Sequence, residues 1–413
     1  MLWLLAMMEN GTSVVALSSG RKKLSGLTID LPLMISPPRT IAFEILQLVD
    51  QGGYASDLLF ARSAQLDSRD AGLASEIVFG ALRFQSQLDF LIEHYSGRPA
   101  DRLDAEVRIA LRIGVYQLRY LERVPAHAAI HESVELIKRA KKRSAAGFAN
   151  AVLRKVDRSP VAWPTREIEL SHPAWLLDRW DRQFGPEAAT AIAIANLQRP
   201  ESYVRVPPGA STSAELVPTD VPGCFRLLSG EVQNLRIQDI GSQSIVPLLD
   251  LAPGQTFLDL CAAPGNKTAQ ALESGVTTVA SDFHLSRLAP LKSLGIDLVT
   301  LDARQPLPFR RRFDRILLDA PCTGTGTLAR NPEIKWRLTP ANIEELKQTQ
   351  IRVLHHAMEA LAPGGKLVYS TCSLEREENE EVVGDLPIRT TRRIPGRDPG
   401  DGFFAAVFES GIS

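Results

Sequence analysis

Apolar residues recur three and four positions apart in TIAFEILQLV, AGLASEIVFGALR, LDFLIEHY, EVRIALRIGVYQLRYL, IHESVELIKRA and GFANAVLRKV. That spacing lays one apolar stripe along each segment, the signature of an amphipathic helix. Short breaks such as SGRPADR and ERVPAHA separate the segments, so residues 37–160 are expected to form one all-α domain. The pattern then changes. WPTREIELSHPAWLLDRWDRQFGPEAATAIAIANLQRP predicts a linker and two helices bracketed by prolines. SYVRV, GCFRLL and VQNLRIQD predict short strands between Pro, Gly and Ser breaks, which makes residues 161–245 a small α+β linker subdomain.

From residue 246 to 413 the period alternates. Strand-like TFLDL, TVAS, LVTL, RILL and KLVYS are interleaved with helix-like KTAQALE, LSRLAPLKSL and ANIEELKQTQIRVLHHAMEAL. Such alternation predicts a Rossmann-like α/β domain around a doubly wound parallel sheet. In such sheets ligands bind beyond the carboxyl ends of the strands. Residues 1–36, opening on MLWLLAMMEN, are expected to be an unstructured leader, with Met34 a plausible start. The apolar run there is too short to span a bilayer, has no basic residues before it and meets Glu9 early. No other stretch is long and apolar enough to span, so no membrane partner is expected.

Composition sharpens this picture in two places. The 413 residues carry a net charge of −1, which provides no global attraction to nucleic acid. Any such binding must come from local patches, and Lys138, Arg139, Lys141, Lys142 and Arg143 form one. They are either a solvated helix face or an RNA-contacting edge. Only four cysteines occur, Cys224, Cys261, Cys322 and Cys372, with no Cys-x-x-Cys pair. A disulfide scaffold or zinc site is not expected, and the reducing cytoplasm is. His284, His355 and His356 lack a recognisable ligand spacing, so no metal is expected.

The chemistry collects at strand ends. The first strand runs into LDLCAAPGNKT, where Cys261, Ala262, Ala263, Pro264, Gly265, Asn266 and Lys267 make a tight turn before a helix. Small residues there let a ligand approach the main chain. The turn is neither a G-x-G-x-x-G fingerprint nor a Walker A sequence. The next two strands end on Asp282 and Asp302, suited to ribose hydroxyls and to an adenine amine, or else to a helix cap and a turn. Together the three ends favour an adenosine-bearing cofactor without a pyrophosphate clamp, which suggests S-adenosylmethionine.

DLCAAPGNKT, LLDAPCTGTGTLARNPEIKW and YSTCSLEREENEEVV resemble the motifs of the NOL/NOP/Sun-type RNA cytosine-C5 methyltransferases. RDAGLASEIVFGALR, RIALRIGVYQL, RVPAHAAIHESVELIK and GFANAVLR resemble a NusB-like RNA-binding domain. The two joined in this order are the layout of the bacterial Sun/RsmB-type 16S ribosomal RNA methyltransferases, and the likeness runs from about Arg39 to the closing GDGFFAAVF. One departure is Asn266, which stands where that family usually has a second glycine. The resemblance implies ribosomal RNA as partner, with a monomer expected.

It also implies that Cys372 attacks the base and that Cys322 assists release. A Pro-Cys after a strand is the nucleophile context in DNA cytosine-C5 methyltransferases, so sequence spacing leaves the reverse order open. Asp319 should point into the same crevice, to bond the base or the cofactor. Lys267 is expected to lower a thiol pKa, to contact Asp319, or to be a surface lysine. Arg330, Lys335, Trp336 and Arg337 offer cations and one aromatic ring, suited to phosphates and a stacked base or to a surface loop with a packed Trp.

Overall fold

Seven helices form the N-terminal part of the computed structural model, which describes residues 35–232 and 235–411: Pro37–Asp50, Ala55–Ser63, Ser68–Arg83, Gln85–Ser96, Ala105–Tyr120, Ala126–Arg139 and Ala146–Leu153. The expected leader and its Met34 start lie outside the described residues. The predicted stripes face inward, so Ala42, Ile45, Ile77, Leu88, Leu91 and Leu111 share one continuous apolar core. Helix Ala55–Ser63 lacks a clear stripe, buries only Ala55 and Leu59, and escaped the periodicity reading.

Two longer linker helices, Ala174–Phe184 and Pro186–Leu197, lead into a four-stranded antiparallel sheet. Its strands are β1 (Tyr203–Arg205), β2 (Glu215–Pro218), β3 (Cys224–Ser229) and β4 (Arg236–Ile237), in the order β2-β3-β1-β4. The remaining strands build one seven-stranded sheet: β5 (Thr256–Asp259), β6 (Thr277–Asp282), β7 (Asp297–Thr300), β8 (Phe313–Asp319), β9 (Leu361–Thr371), β10 (Arg389–Arg393) and β11 (Phe403–Glu409). Their order is β10-β11-β9-β8-β5-β6-β7.

The expectation of a parallel sheet holds for β5 to β9 and fails at one edge. Both β11 against β9 and β10 against β11 run antiparallel. The strand FFAAVF is buried on both faces, so its apolar run carries no sign of direction. Chain order reverses between β5 and β8, which places the binding crevice beyond Asp259 and Asp319.

The helical domain docks on the segment that follows β8. Lys335 Nζ donates to the Arg83 carbonyl at 3.0 Å and Trp336 Nε1 to the Leu82 carbonyl at 2.7 Å, at the end of helix Ser68–Arg83. Arg337 donates to the carbonyls of Val49 at 2.8 Å, Gly52 at 3.1 Å and Gly53, at the end of helix Pro37–Asp50. Glu333 Oε1 accepts from the Ala55 N–H at 2.9 Å, at a helix start. Helix ends leave carbonyls unpaired and starts leave N–H groups unpaired, with matching partial charges. Side-chain donors therefore meet the two ends, the Arg337 guanidinium among them, and a carboxylate meets the start.

Of the two readings of that stretch, these contacts match the surface loop with a packed Trp. Lys335 is 1% exposed, and burial followed by the Arg83 charge holds its pKa well below the usual lysine value. Arg330 is turned inward too, donating to Asp401 at 2.8 Å, to Asp239 at 2.9 Å and to the Glu201 carbonyl at 2.7 Å. All four side chains are engaged in joining parts of the fold.

Candidate active site

Strand pairing stops where the chemistry starts. The Ala320 N–H makes the last ladder bond, to the Ser370 carbonyl at 2.8 Å, and Pro321 has no N–H to continue it. Asp319 and Ser370 are direct partners in the β8–β9 register. Cys322 therefore follows three residues after one partner and Cys372 two after the other. Their sulfurs lie 3.4 Å apart, both half-buried.

Beside them, Lys267 Nζ donates to Asp319 Oδ2 at 2.7 Å and Ser370 Oγ to Asp319 Oδ1 at 2.8 Å. Lys267 also sits 5.1 Å from the centroid of the Phe403 ring. Burial alone would push the Lys267 pKa down; the Asp319 carboxylate, with help from Cys372, outweighs it, and the net shift is upward. The ammonium is thus held charged. Cys322 moves up as well, first through its hydrogen bond with Cys372 and then through burial, so it retains its proton.

The loops carrying the cysteines are stitched to one buried carboxylate. Glu378, fully buried, accepts from the Thr323 N–H at 2.9 Å, from Gln350 at 3.1 Å and from the hydroxyls of Thr323 and Ser373. Burial raises its pKa. Gly326 N–H donates to the Cys372 carbonyl at 2.9 Å. A Cβ on Gly326 would lie 2.4 Å from the Gly402 carbonyl and 2.8 Å from that of Cys372, so only glycine allows this approach.

The Cys372 loop has a second anchor, in the linker. Arg179 Nε donates to Glu375 Oε2 at 2.6 Å, Trp180 Nε1 to Glu375 Oε1 at 3.2 Å, and Gln183 to the Leu374 carbonyl at 2.8 Å. Sequence reasoning missed Glu375, Glu378 and the three linker side chains. LEREENEE is dense in carboxylates, and nothing in its sequence distinguishes the buried Glu375 and Glu378 from their more exposed neighbours Glu377 and Glu381.

The turn after β5 is tightly wound and carries one buried carboxylate at its start. Gly265 has φ +99°, and a Cβ there would lie 2.7 Å from Leu291. Asn266 begins helix Asn266–Leu272, so the left-handed position falls on glycine and the departure at Asn266 costs no backbone strain. Asp259, also missed in the sequence, is buried at the end of β5. Its Oδ2 accepts from Thr268 at 2.7 Å, its Oδ1 has no partner, and burial pushes its carboxyl up to about 7. An orphaned acceptor beside a glycine cradle fits a ligand that brings hydrogen-bond donors.

Asp282 and Asp302 stand at the ends of β6 and β7 as expected, each with a local partner. Asp282 Oδ1 accepts from the His284 N–H at 3.0 Å. Asp302 pairs through both oxygens with Arg304, at 2.8 Å each, and that bond holds its carboxyl below the usual range. Burial pushes the Cys261 thiol up, which suits packing. In the basic run, Lys138 pairs with Glu135, Arg139 with Glu44 and Lys142 with Asp104, while Lys141 and Arg143 stay exposed without an ion pair among the described residues. His355 and Glu359, both exposed, and the half-buried His356 are the one described group with side chains close enough for a metal, and they lie on the long helix Pro340–Glu359.

Residues 246–392 match the family model described as 16S rRNA methyltransferase RsmB/F, and residues 36–158 match the NusB family. Residues 172–218 match an RsmF/B-like ferredoxin-like domain. The chain is 34% identical to ribosomal RNA small subunit methyltransferase B of Klebsiella pneumoniae, over 89% of its own length and 97% of the relative's. The chain belongs to the RsmB/F family. A probable RsmB of Bacillus subtilis is 33% identical over 84% of this chain and 87% of its own. Among solved structures, PH0851 superposes with a TM-score of 0.75 at 23% identity, over 91% of this chain and 99% of that one, a likeness of fold. As an RsmB/F-family member the chain has a NusB-like helical domain, a β-rich linker and an α/β methyltransferase domain. The described residues contain no helix long and apolar enough to cross a membrane.

Proposed function

We propose that the chain transfers a methyl group from S-adenosylmethionine to carbon 5 of a cytosine in 16S ribosomal RNA, through a cysteine–cytosine adduct. The observation that carries this reading is the pair of sulfurs 3.4 Å apart at the ends of adjacent parallel strands. Two buried packing thiols would not need an ammonium, a carboxylate and two polar turns around them.

Carbon 5 of cytosine is too weak a nucleophile to take a methyl group unaided. A thiolate added to carbon 6 turns the ring into an enamine, whose carbon 5 is nucleophilic. Cys372 is the attacking thiol. Lys267 interacts favourably with its negative form, and the proton held by Cys322 is available as a hydrogen bond to that sulfur. Asp319, fixed on both oxygens and partly exposed to the crevice, bonds the base amine or the cofactor. Release needs a base, either Cys322 as a thiolate or a group that it positions, to take the carbon 5 proton; the ring double bond then re-forms and the carbon 6–sulfur bond breaks, its electron pair returning to Cys372. Cys322 assists that step.

S-adenosylmethionine supplies the methyl group when bound. The turn Cys261 to Lys267, with Asp259, Asp282 and Asp302, would hold it, and Asp302 must share its carboxylate with Arg304. The NusB-like domain, with Lys141 and Arg143, contributes RNA contacts through phosphates. A cytosine in folded RNA has to be extruded to reach the sulfurs.

A denaturing gel tests the assignment. Cys322→Ala should leave protein covalently bound to RNA, and Cys372→Ala should form no adduct. An adduct that survives without Cys372 and disappears without Cys322 would reverse the two roles. Absence of S-adenosylmethionine binding by calorimetry at millimolar ligand would sink the enzyme reading altogether.

A further inference from the structure

A second concavity opens at the same end of the large sheet. A cavity of about 190 Å³ lies between linker helix Pro186–Leu197 and the loop that leads into β11. Asn196, Gln198, Arg199, Gly326, Asp398 and Asp401 contribute to its wall. Because β11 runs antiparallel to β9, with Phe404 opposite Thr371, residues 395–402 sit beside the Cys372 loop. Gly326 joins the two sites, bonding the Cys372 carbonyl through its N–H and the Gly402 N–H through its carbonyl at 2.7 Å. One peptide layer separates cavity and nucleophile loop.

The polar groups are sorted by depth. Asn196 is 0% exposed, its Nδ2 is 3.4 Å from His172 Nε2, and its Oδ1 has no hydrogen-bond partner. An unmatched buried acceptor on the cavity wall is open to a donor that arrives from outside. Asp401, 6% exposed, gives one oxygen to Arg330, and its other oxygen has no partner among the described residues. At the rim, Arg199 is exposed and pairs with no described carboxylate, while the two carboxylates there are taken up, Glu201 by Tyr203 and Arg226 and Asp398 by Arg397. Acceptors inside and a cation outside match a nucleotide, whose base amine donates and whose phosphate is anionic. At about 30 Å³ per water the space equals some six waters, enough for one planar base.

We propose that this cavity receives an amine-bearing base, adenine, guanine or cytosine, from a nucleotide beside the target cytosine. The proposal rests on the RNA-methyltransferase reading above and adds how the substrate is selected. Extruding the target unstacks its neighbours, and a second pocket one peptide layer away would hold one of them.

The test uses full-length protein and RNA hairpins around the methylated cytosine, once bisulfite sequencing has mapped it. At each flanking position the base is replaced by its analogue lacking the exocyclic amine. One position should raise KM about tenfold with kcat unchanged. Asn196→Leu should raise KM for the natural RNA by a similar factor and cease to distinguish the analogue. Arg199→Ala should raise KM about threefold for both RNAs alike. No sensitive position in the wild type, or undiminished discrimination by a folded Asn196→Leu, overturns the proposal. Photocross-linking of wild-type protein to RNA carrying 6-thioguanosine beside the target needs neither the variant nor turnover. Adducts on residues 195–201 or 395–402 support the site, and adducts confined to other peptides refute it. If the wild type methylates nothing, the functional reading fails, and cross-linking to 16S ribosomal RNA substituted throughout with 6-thioguanosine, which needs no mapped target, still decides this one.

Discussion

The two cysteine loops look alike in sequence and are held in different ways. Each follows an apolar strand, each brings a thiol, and both are bonded to Glu378. The Cys322 loop continues into Arg330–Arg337, which grips the helical domain by the ends of its helices. The Cys372 loop is clamped by the linker through Arg179, Trp180 and Gln183. The thiol pair therefore lies where the supports of two other domains converge. Each thiol is positioned by a part of the chain far from it in sequence.

Mutations should separate the loops by the kind of damage they do. The largest effect is on turnover: Cys372→Ser should lower methyl transfer by at least ~1,000-fold, measured with radiolabelled donor, because the covalent route is removed. Lys267→Met should follow at about 100-fold, with RNA affinity unchanged, since the cation next to the developing thiolate is lost. Arg179→Ala leaves Glu375 buried without its cation and should cost about 3 kcal/mol of stability. Its hydrogen exchange should rise in residues 372–379 and stay low in 322–330. Trp336→Ala should do the opposite, at about 2 kcal/mol, with exchange rising in 322–337 and at the end of helix Ser68–Arg83. If either variant loosens both loops equally, the separation of supports is wrong.

The smallest effect is on pH dependence. Asp259 has its carboxyl raised by burial to about 7 from 3.8, so the folded state binds its proton more tightly than the unfolded chain. Its stabilising contribution is complete below about pH 4 and is lost as pH rises through about 7. Asp401 titrates in the same window. Asp259→Asn should therefore flatten, without abolishing, the fall in melting temperature between pH 4 and 8.

What was legible in the sequence follows from what local pattern encodes. Helical stripes such as EVRIALRIGVYQLRYL predict their elements because one face must be buried wherever the helix lies. Strand-end chemistry was legible at Asp319, Cys322 and Cys372, since the sheet itself puts those ends together. Partners were not. A guanidinium written in a sequence looks the same whether it faces a phosphate or a helix carbonyl, and Arg337 proved to be the second kind. Glu375 and Glu378 hid inside an acidic run for the same reason. Asp259 was hidden by position, two residues ahead of the turn that drew attention.

The seam at Lys335, Trp336 and Arg337 limits how this protein can be taken apart. A methyltransferase fragment cut free at residue 246 would carry an indole, an ammonium and a guanidinium shaped for helix ends no longer present. Those groups would meet solvent or another molecule, and the fragment should self-associate. Grafting another helical domain in front would fail unless its helix ends fell in the same places. Recombination within this family should therefore favour exchanging residues 36–158 and 328–337 as one unit, although 169 positions of chain lie between them.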